Sequence, residues 1–355
     1  MNDENLETQT SSTPEQLSHN EALYNAIFEG KNENTSPIPV LPQLSIALGI
    51  LLFVFSVTYI GASNTFAKKV NPNDLIVEAA VSTNIPQLKK YVNSFDNTSL
   101  VAKSAFVWDV RDQKVLFNKN ADAKLPLASV TKLMTALIAY ELLDPNAKIS
   151  ISKDSIKTEG DSGFSEGEEF TVQDLTDLTL ISSSNDGAVA LSREAAHTAS
   201  NRNPEEVFVT AMILKAKELG LTHTHFENAT GLDLNQTEAG AYGSARDVAL
   251  LMEYIVTNES NALALTNVDL TTISNEAGDY HTVKNTNEVV DDIDGLIASK
   301  TGYTQLAGGN LAVAFNAGLN RPIIDVVLGS SQNARFSDTV TLVEKARQFI
   351  SHSIQ

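Results

Sequence analysis

Leu125-Pro126-Leu127-Ala128-Ser129-Val130-Thr131-Lys132-Leu133-Met134-Thr135-Ala136 is the stretch that decides how the rest of the chain is read. Val130, Leu133, Met134, Leu137, Ile138 and Leu142 recur at the spacing of one apolar helix face, so an amphipathic helix is expected here. Pro126 lies just upstream, where a proline closes a strand or loop before a helix begins. Ser129 then falls in the first turn, near the positive end of the helix dipole. Lys132 follows three residues later on the same face, within reach of the serine hydroxyl. Taken alone, such a turn is most often an ordinary cap beside a solvated lysine.

Two further motifs change that balance. Ser183-Ser184-Asn185 supplies a second hydroxyl and an amide, and Lys300-Thr301-Gly302 supplies a cationic strand. With Ser129 and Lys132 they form the parts list for acyl transfer through a covalent serine ester. The first two patterns are weak in isolation. Ser150-Ile151-Ser152-Lys153 repeats the first spacing, but in an alternating stretch that reads as a short strand or turn. Ser18-His19-Asn20 and Ser331-Gln332-Asn333 repeat the second, whereas Lys-Thr-Gly occurs once.

From about Lys103 to the C-terminus the chain resembles the D-alanyl-D-alanine carboxypeptidases, the low-molecular-mass penicillin-binding proteins of the serine peptidase and β-lactamase-like superfamily. The resemblance rests on Phe106-Val107-Trp108-Asp109, the Leu125–Ala136 run, Glu169-Phe170-Thr171-Val172-Gln173-Asp174-Leu175 and Ser184-Asn185-Asp186-Gly187-Ala188-Val189-Ala190-Leu191. It continues through Phe226-Glu227-Asn228-Ala229-Thr230-Gly231-Leu232-Asp233, Ser244-Ala245-Arg246-Asp247-Val248-Ala249-Leu250-Leu251 and Ser299-Lys300-Thr301-Gly302-Tyr303-Thr304.

The resemblance implies Ser129 as nucleophile toward the penultimate D-alanine of a peptidoglycan stem peptide, with β-lactams as covalent inhibitors. A serine hydroxyl needs a base, and Lys132 serves only as a neutral amine, through burial or neighbouring positive charge. Lys300 is the expected source of that charge and would attract the substrate's anionic end. Ser183 is expected to relay the proton to the leaving amine, and Asn185 to hold the substrate amide. The backbone N–H groups of Ser129 and Tyr303 are the implied oxyanion hole. Gly302 would spare the incoming peptide a clash. Thr301 and Arg335 are the implied carboxylate ligands, a surface arginine being the plain alternative for Arg335. Ser184 fills a position that is small in many members. Thr286 stands where some carry arginine.

A class A β-lactamase would need a water-activating glutamate in a glutamate-x-x-leucine-asparagine context, and none follows Asn185. A D,D-endopeptidase would use the same residues, and a catalytically silent cell-wall peptide or penicillin-binding module is the alternative from another class. His223-Thr224-His225 lacks a third ligand cluster, so solvated or packed histidines are expected there and no metal or cofactor. With no cysteine, thiol catalysis and disulfides are excluded. A net charge of −19 argues against nucleic acid as a partner.

Four segments are expected. Residues 1–42 form an acidic tail (Asp3, Glu4, Glu7, Glu15, Glu21, Glu29 and Glu33 against Lys31) with too few apolar residues for a core. Residues 43–62 contain the uncharged run Leu44 to Ala62, about 19 residues and long enough to span a bilayer as an uncleaved single-pass anchor. Lys68 and Lys69 follow it, on the side that the positive-inside tendency places in the cytoplasm. The expected substrate chemistry requires the outer side. Residues 63–102 read as a linker with an amphipathic stretch near Leu75 to Tyr91. Residues 103–355 form one domain: strands at Ala105 to Val110 and Lys114 to Asn118, a helical centre, strands at Leu296 to Thr301, Leu311 to Phe315 and Ile323 to Leu328, then a helix from Thr339 to Ile350. That order suits an α+β fold, an antiparallel β-sheet flanked by helices with a helical subdomain.

Overall fold

The computed structural model describes residues 94–160, 162–199 and 203–353. The acidic tail, the apolar run and residues 63–93 lie outside the described residues. Among the described residues no helix is long and apolar enough to cross a membrane.

In chain order the elements are β1 (Ser104–Asp109), β2 (Lys114–Lys119), β3 (Leu125–Pro126), α1 (Lys132–Leu142), β4 (Lys148–Ser150), β5 (Glu169–Thr171), α2 (Val172–Ile181), α3 (Asn185–Ala199) and α4 (Pro204–Glu218). After these come β6 (His225–Phe226), β7 (Ala241–Gly243), α5 (Ala245–Asn258), β8 (Leu270–Ser274), β9 (Tyr280–Lys284), β10 (Leu296–Thr304), β11 (Gly308–Asn316), β12 (Pro322–Ser330) and α6 (Ala334–Ser353). The main sheet has the order β10-β11-β12-β1-β2, every neighbouring pair antiparallel. The expected α+β class and all five of its strands are found. The middle of the chain is not purely helical: β3, β6 and β7 form a small sheet, and β4-β5 and β8-β9 form two-stranded antiparallel sheets.

Period-two alternation in the long strands sorts side chains onto two faces. On β12, Ile324, Val326 and Leu328 join the core shared with α1 to α5, while Ile323 and Val327 join a second core under α6. Helix starts follow local chemistry: Thr171 and Ser244 accept the backbone N–H of Asp174 and Asp247, and Asn203 caps α4 ahead of Pro204.

Helix α1 departs from the amphipathic expectation, since every residue but Glu141 is buried. Its nominally polar side is made of small or hydroxylated residues that pack between helices. Thr135 there satisfies its hydroxyl on the Ala229 carbonyl at 2.6 Å. Residues 94–102 lie along α6: Phe95 stacks on Phe117 and packs against Phe349, and Asp338 accepts the N–H groups of Val101 and Ala102.

One residue breaks the alternation. Asp325 takes the place between Ile323 and Val327 that the pattern reserves for an apolar side chain. It pairs across the sheet with Val107 and Val313, is fully buried, and neither carboxyl oxygen has a hydrogen-bond partner. Burial, with Asp338 nearby, holds its pKa well above the ordinary 3.8. Below the pH where the unfolded carboxyl titrates, Asp325 is neutral in both states and pH-independent. Above it the unfolded chain releases a proton that the folded chain retains, so stability falls as pH rises. Asp325→Asn should remove this slope, so its advantage over wild type in thermal unfolding should be larger at pH 7 than at pH 4.

Candidate active site

Ser129 sits in a 3-10 turn, Ala128–Thr131, that leads directly into α1. The turn is held from outside the helix. Asn310, fully buried on β11, donates to the carbonyls of Pro126 and Leu127, both at 3.0 Å, and accepts the Gly329 N–H at 2.8 Å. Ala128 carries a positive φ of 48°, which a non-glycine residue adopts only when its surroundings impose it. Gly231 is part of that imposition: a Cβ there would lie 2.0 Å from the Ala128 carbonyl oxygen. Gly302 closes the other side. Its Cβ would stand 2.8 Å from the Leu127 oxygen and 3.2 Å from the Ser129 nitrogen. Gly302 therefore lets β10 approach the protein's own nucleophile turn, whereas the sequence had suggested a clash with the incoming peptide.

The Lys132 amine, on a fully buried residue, lies 2.9 Å from Ser129 Oγ, 2.7 Å from Asn185 Oδ1 and 2.9 Å from the Thr230 carbonyl. All three partners are neutral, and the free amine, with two N–H groups for Asn185 and Thr230, has its lone pair left for the Ser129 hydroxyl. Burial alone pushes its pKa down to about 7, so the neighbouring positive charge that the sequence reading allowed for is not the cause. Thr230 is positioned by Asn228, whose Oδ1 accepts the N–H groups of Thr230 and Gly231 at 3.1 and 2.7 Å, a side-chain turn typical of asparagine.

Ser183 precedes α3 with φ of 62°, a second strained residue in the cleft. Lys300 donates to Ser183 Oγ and to the Thr301 carbonyl, both at 3.0 Å. Its amine is also buried, and desolvation, then Lys132 and Arg335, hold its pKa well below the ordinary 10.5. The cleft thus holds two lysines, each against a serine hydroxyl, both with burial as the main force against their charge.

Asn185 uses both ends of its amide within the protein: Oδ1 on Lys132, and Nδ2 on the Glu159 carbonyl at 2.6 Å. Ser184 Oγ meets Ser162 Oγ at 2.6 Å, so the loop after β4 is tied to the cleft twice. Tyr303 is 40% exposed at the mouth. Arg335 is not a surface residue: it is 7% exposed, donates Nη1 to the Gly302 carbonyl at 2.9 Å and stacks over Phe336. Thr301 is buried, its hydroxyl 2.6 Å from that of Thr286. The nine site residues expected from sequence therefore gather along one cleft. His223 and His225 lie apart from each other's partners, near Asp247 and Glu227.

Asn310, Thr230 and Glu159 were not anticipated. Thr230 and Glu159 act through backbone carbonyls, which leave no side-chain signature. Asn310 lies in an apolar strand, where a lone buried amide is the only signal.

A serine hydroxyl against a buried lysine, with a second serine–lysine pair opposite, thus lies on an antiparallel sheet with a helical subdomain. The family model described as D-alanyl-D-alanine carboxypeptidase matches residues 91–332, and the chain belongs to that family. D-alanyl-D-alanine carboxypeptidase DacF of Bacillus subtilis is 36% identical over 244 residues, 65% of this chain and 58% of that protein. The chain thus spans little more than half the length of that relative. A D-alanyl-D-alanine endopeptidase of Haemophilus influenzae is 34% identical over 253 residues, 69% of this chain and 82% of that protein. Among solved structures, penicillin-binding protein D2 of Listeria monocytogenes in its ampicillin-bound form is 28% identical, covers 70% of this chain and 98% of its own, and superposes with a TM-score of 0.60.

Because Lys132 accepts a proton only as the free amine, acylation of Ser129 should rise with pH and level off above about pH 7. Lys132→Arg, which stays protonated, should lower the acylation rate by at least about 100-fold, the usual span of a general base. Stopped-flow labelling by a chromogenic β-lactam across pH 5 to 9 measures both.

Proposed function

We propose that the chain is a serine D-Ala-D-Ala carboxypeptidase acting on peptidoglycan stem peptides. The observation that carries this is the Ser129–Lys132 contact at 2.9 Å with the lysine buried among neutral partners, in a chain of this family. Ser129 Oγ attacks the carbonyl carbon of the penultimate D-alanine and Lys132 Nζ takes its proton. The developing oxyanion lies on the Ser129 and Tyr303 N–H groups. Collapse breaks the C–N bond, and the terminal D-alanine leaves as the proton that Lys132 took passes to its amine by way of Ser183, held by Lys300. Water then hydrolyses the Ser129 ester. Thr301 and Arg335 serve the terminal carboxylate. Asn185 holds the substrate amide through the N–H that the Glu159 carbonyl does not use. β-Lactams acylate Ser129 by the same attack.

Endopeptidase action on crosslinks is the second reading; the likeness to the Haemophilus influenzae protein fits it without favouring it over the first. We also propose the segment plan of tail 1–42, anchor 43–62, linker 63–102 and catalytic domain 103–355. The uncharged run at 44–62 would hold the protein in the bacterial cell membrane as a single pass, with the catalytic domain outside.

Fluorescent penicillin should label the full-length protein at Ser129, located by mass spectrometry, and Ser129→Ala should abolish labelling. D-alanine should be released from a D-Ala-D-Ala pentapeptide. Labelling without release, together with cleavage of crosslinked dimers, would favour the endopeptidase. Rapid turnover of penicillin would sink both.

A further inference from the structure

A run of four residues, Thr230 to Asp233, reaches the lysine base, the nucleophile turn and strand β10. The Thr230 carbonyl lies 2.9 Å from the Lys132 amine. Gly231 faces the Ala128 carbonyl, where a Cβ would stand 2.0 Å away. Asp233 holds the end of β10: its Oδ1 accepts the Thr304 hydroxyl at 2.9 Å, and its Oδ2 the Leu306 N–H at a looser 3.4 Å. The run is stiff between these points. Leu232 donates its N–H to Thr230 Oγ1 at 3.1 Å, and its carbonyl accepts Asn228 Nδ2 at 3.0 Å.

Among the described residues β10 has one neighbour in the sheet, β11. From outside the sheet it is fastened on either side of Lys300 to Tyr303. On one side Ser299 gives its N–H to Thr266 Oγ1 at 3.2 Å and its hydroxyl to the Thr266 carbonyl at 2.8 Å. On the other side Asp233 holds Thr304. Ser299 spends its N–H outside the sheet, so it belongs to a non-hydrogen-bonded pair of the β10–β11 ladder. Such pairs alternate, and the register runs unbroken from Ala298 to Thr304, so Tyr303 also turns its N–H away from β11. The direction of the Asp233 bonds is fixed, since a backbone N–H only donates and a carboxylate only accepts. Ala307 gives its N–H to Thr304 Oγ1 at 3.1 Å, and Thr304 gives its own proton to Asp233. Each bond in such a chain strengthens the next.

We propose that Asp233 is a positioning residue of the oxyanion hole, which by holding Thr304 sets where the Tyr303 N–H stands relative to Ser129. This rests on the reading above, in which that N–H receives the oxyanion. Asp233 itself touches no reacting atom. The loop that supports the base through Thr230 thereby also sets the spacing between base and oxyanion donor. A hole is matched to oxygen at hydrogen-bond distance, and sulfur, larger and a weak acceptor, does not match it. Preference for oxygen over sulfur at the reacting carbon is the property that Asp233 controls.

The test uses a depsipeptide ending in D-Ala-D-lactate and its thionoester, which carries sulfur in place of the carbonyl oxygen at the reacting carbon. It compares kcat/KM for D-lactate release by the full-length wild type, Asp233→Ala, Asp233→Asn and Thr304→Val. Wild type should favour the oxygen ester. Asp233→Ala and Thr304→Val should each slow the oxygen ester about tenfold, less than the loss of about 100- to 1000-fold when a donor is removed outright. The thionoester rate should change little, so the oxygen-to-sulfur ratio falls. Asp233→Asn keeps an oxygen acceptor for Thr304 and should keep most of the ratio. Equal slowing of both esters would mean that Asp233 merely holds the fold together and would overturn the proposal. A fall in Asp233→Asn as deep as in Asp233→Ala would assign the effect to charge and overturn it too, as would a wild type indifferent to sulfur. If Asp233→Ala does not fold, the other two variants decide. D-alanine release from the pentapeptide by wild type separates the two levels. Release with an unaltered ratio in the variants removes the Asp233 role alone. A wild type that neither releases D-alanine nor is acylated at Ser129 removes the reading above and this proposal together.

Discussion

Burying the Lys132 amine among neutral oxygens is the constraint on which the rest of the molecule depends. Water would keep that amine charged, and a carboxylate partner would do so more firmly. The fold supplies neither. Lys132 opens a helix that is surrounded on nearly every side, and its partners are a hydroxyl, an amide oxygen and a backbone carbonyl. A group so placed gains little by ionising, which is what a base near neutral pH requires. The all-buried α1 is thus as much a part of the chemistry as Ser129.

Keeping those three partners in place explains the odd backbone. Ala128 and Ser183 both take φ values that ordinary side chains avoid, and both adjoin or carry reacting groups. Gly231 and Gly302 sit where any Cβ would strike the nucleophile turn, so helix, loop and strand meet at backbone distance. Asn310 ties that turn to the central strands. Strain at two residues persists because the sheet, the α2–α3 corner and the 226–233 loop each fix it independently.

The architecture was readable where one physical rule acts alone. Strands β10, β11 and β12 are long, apolar and bounded by turn residues, and α6 keeps its helical period, so their positions follow from pattern. The residues proposed to react were readable as a set because spacing within short motifs survives folding. What was not readable depends on partners distant in sequence. The hydroxyl face of α1 looks solvated until Ala229 is brought against Thr135. Arg335 reads as a surface residue until β10 arrives with the Gly302 carbonyl. The carbonyls of Thr230 and Glu159 belong to every residue type alike, so no sequence marks them. Asp325 is the opposite case, a residue that the strand pattern argues against and that the fold tolerates by keeping it protonated.

The Asn185–Glu159 hydrogen bond has a consequence for how the cleft fills. With its oxygen on Lys132 and its nitrogen on the Glu159 carbonyl, the amide has spent one of its two N–H groups. The second can meet a ligand carbonyl while the first still holds Glu159. A ligand on Asn185 therefore gains a contact without unfastening the segment after β4, which the Ser184–Ser162 contact also ties down. The cleft is preorganised in this respect, and affinity is not reduced by breaking a bond already made.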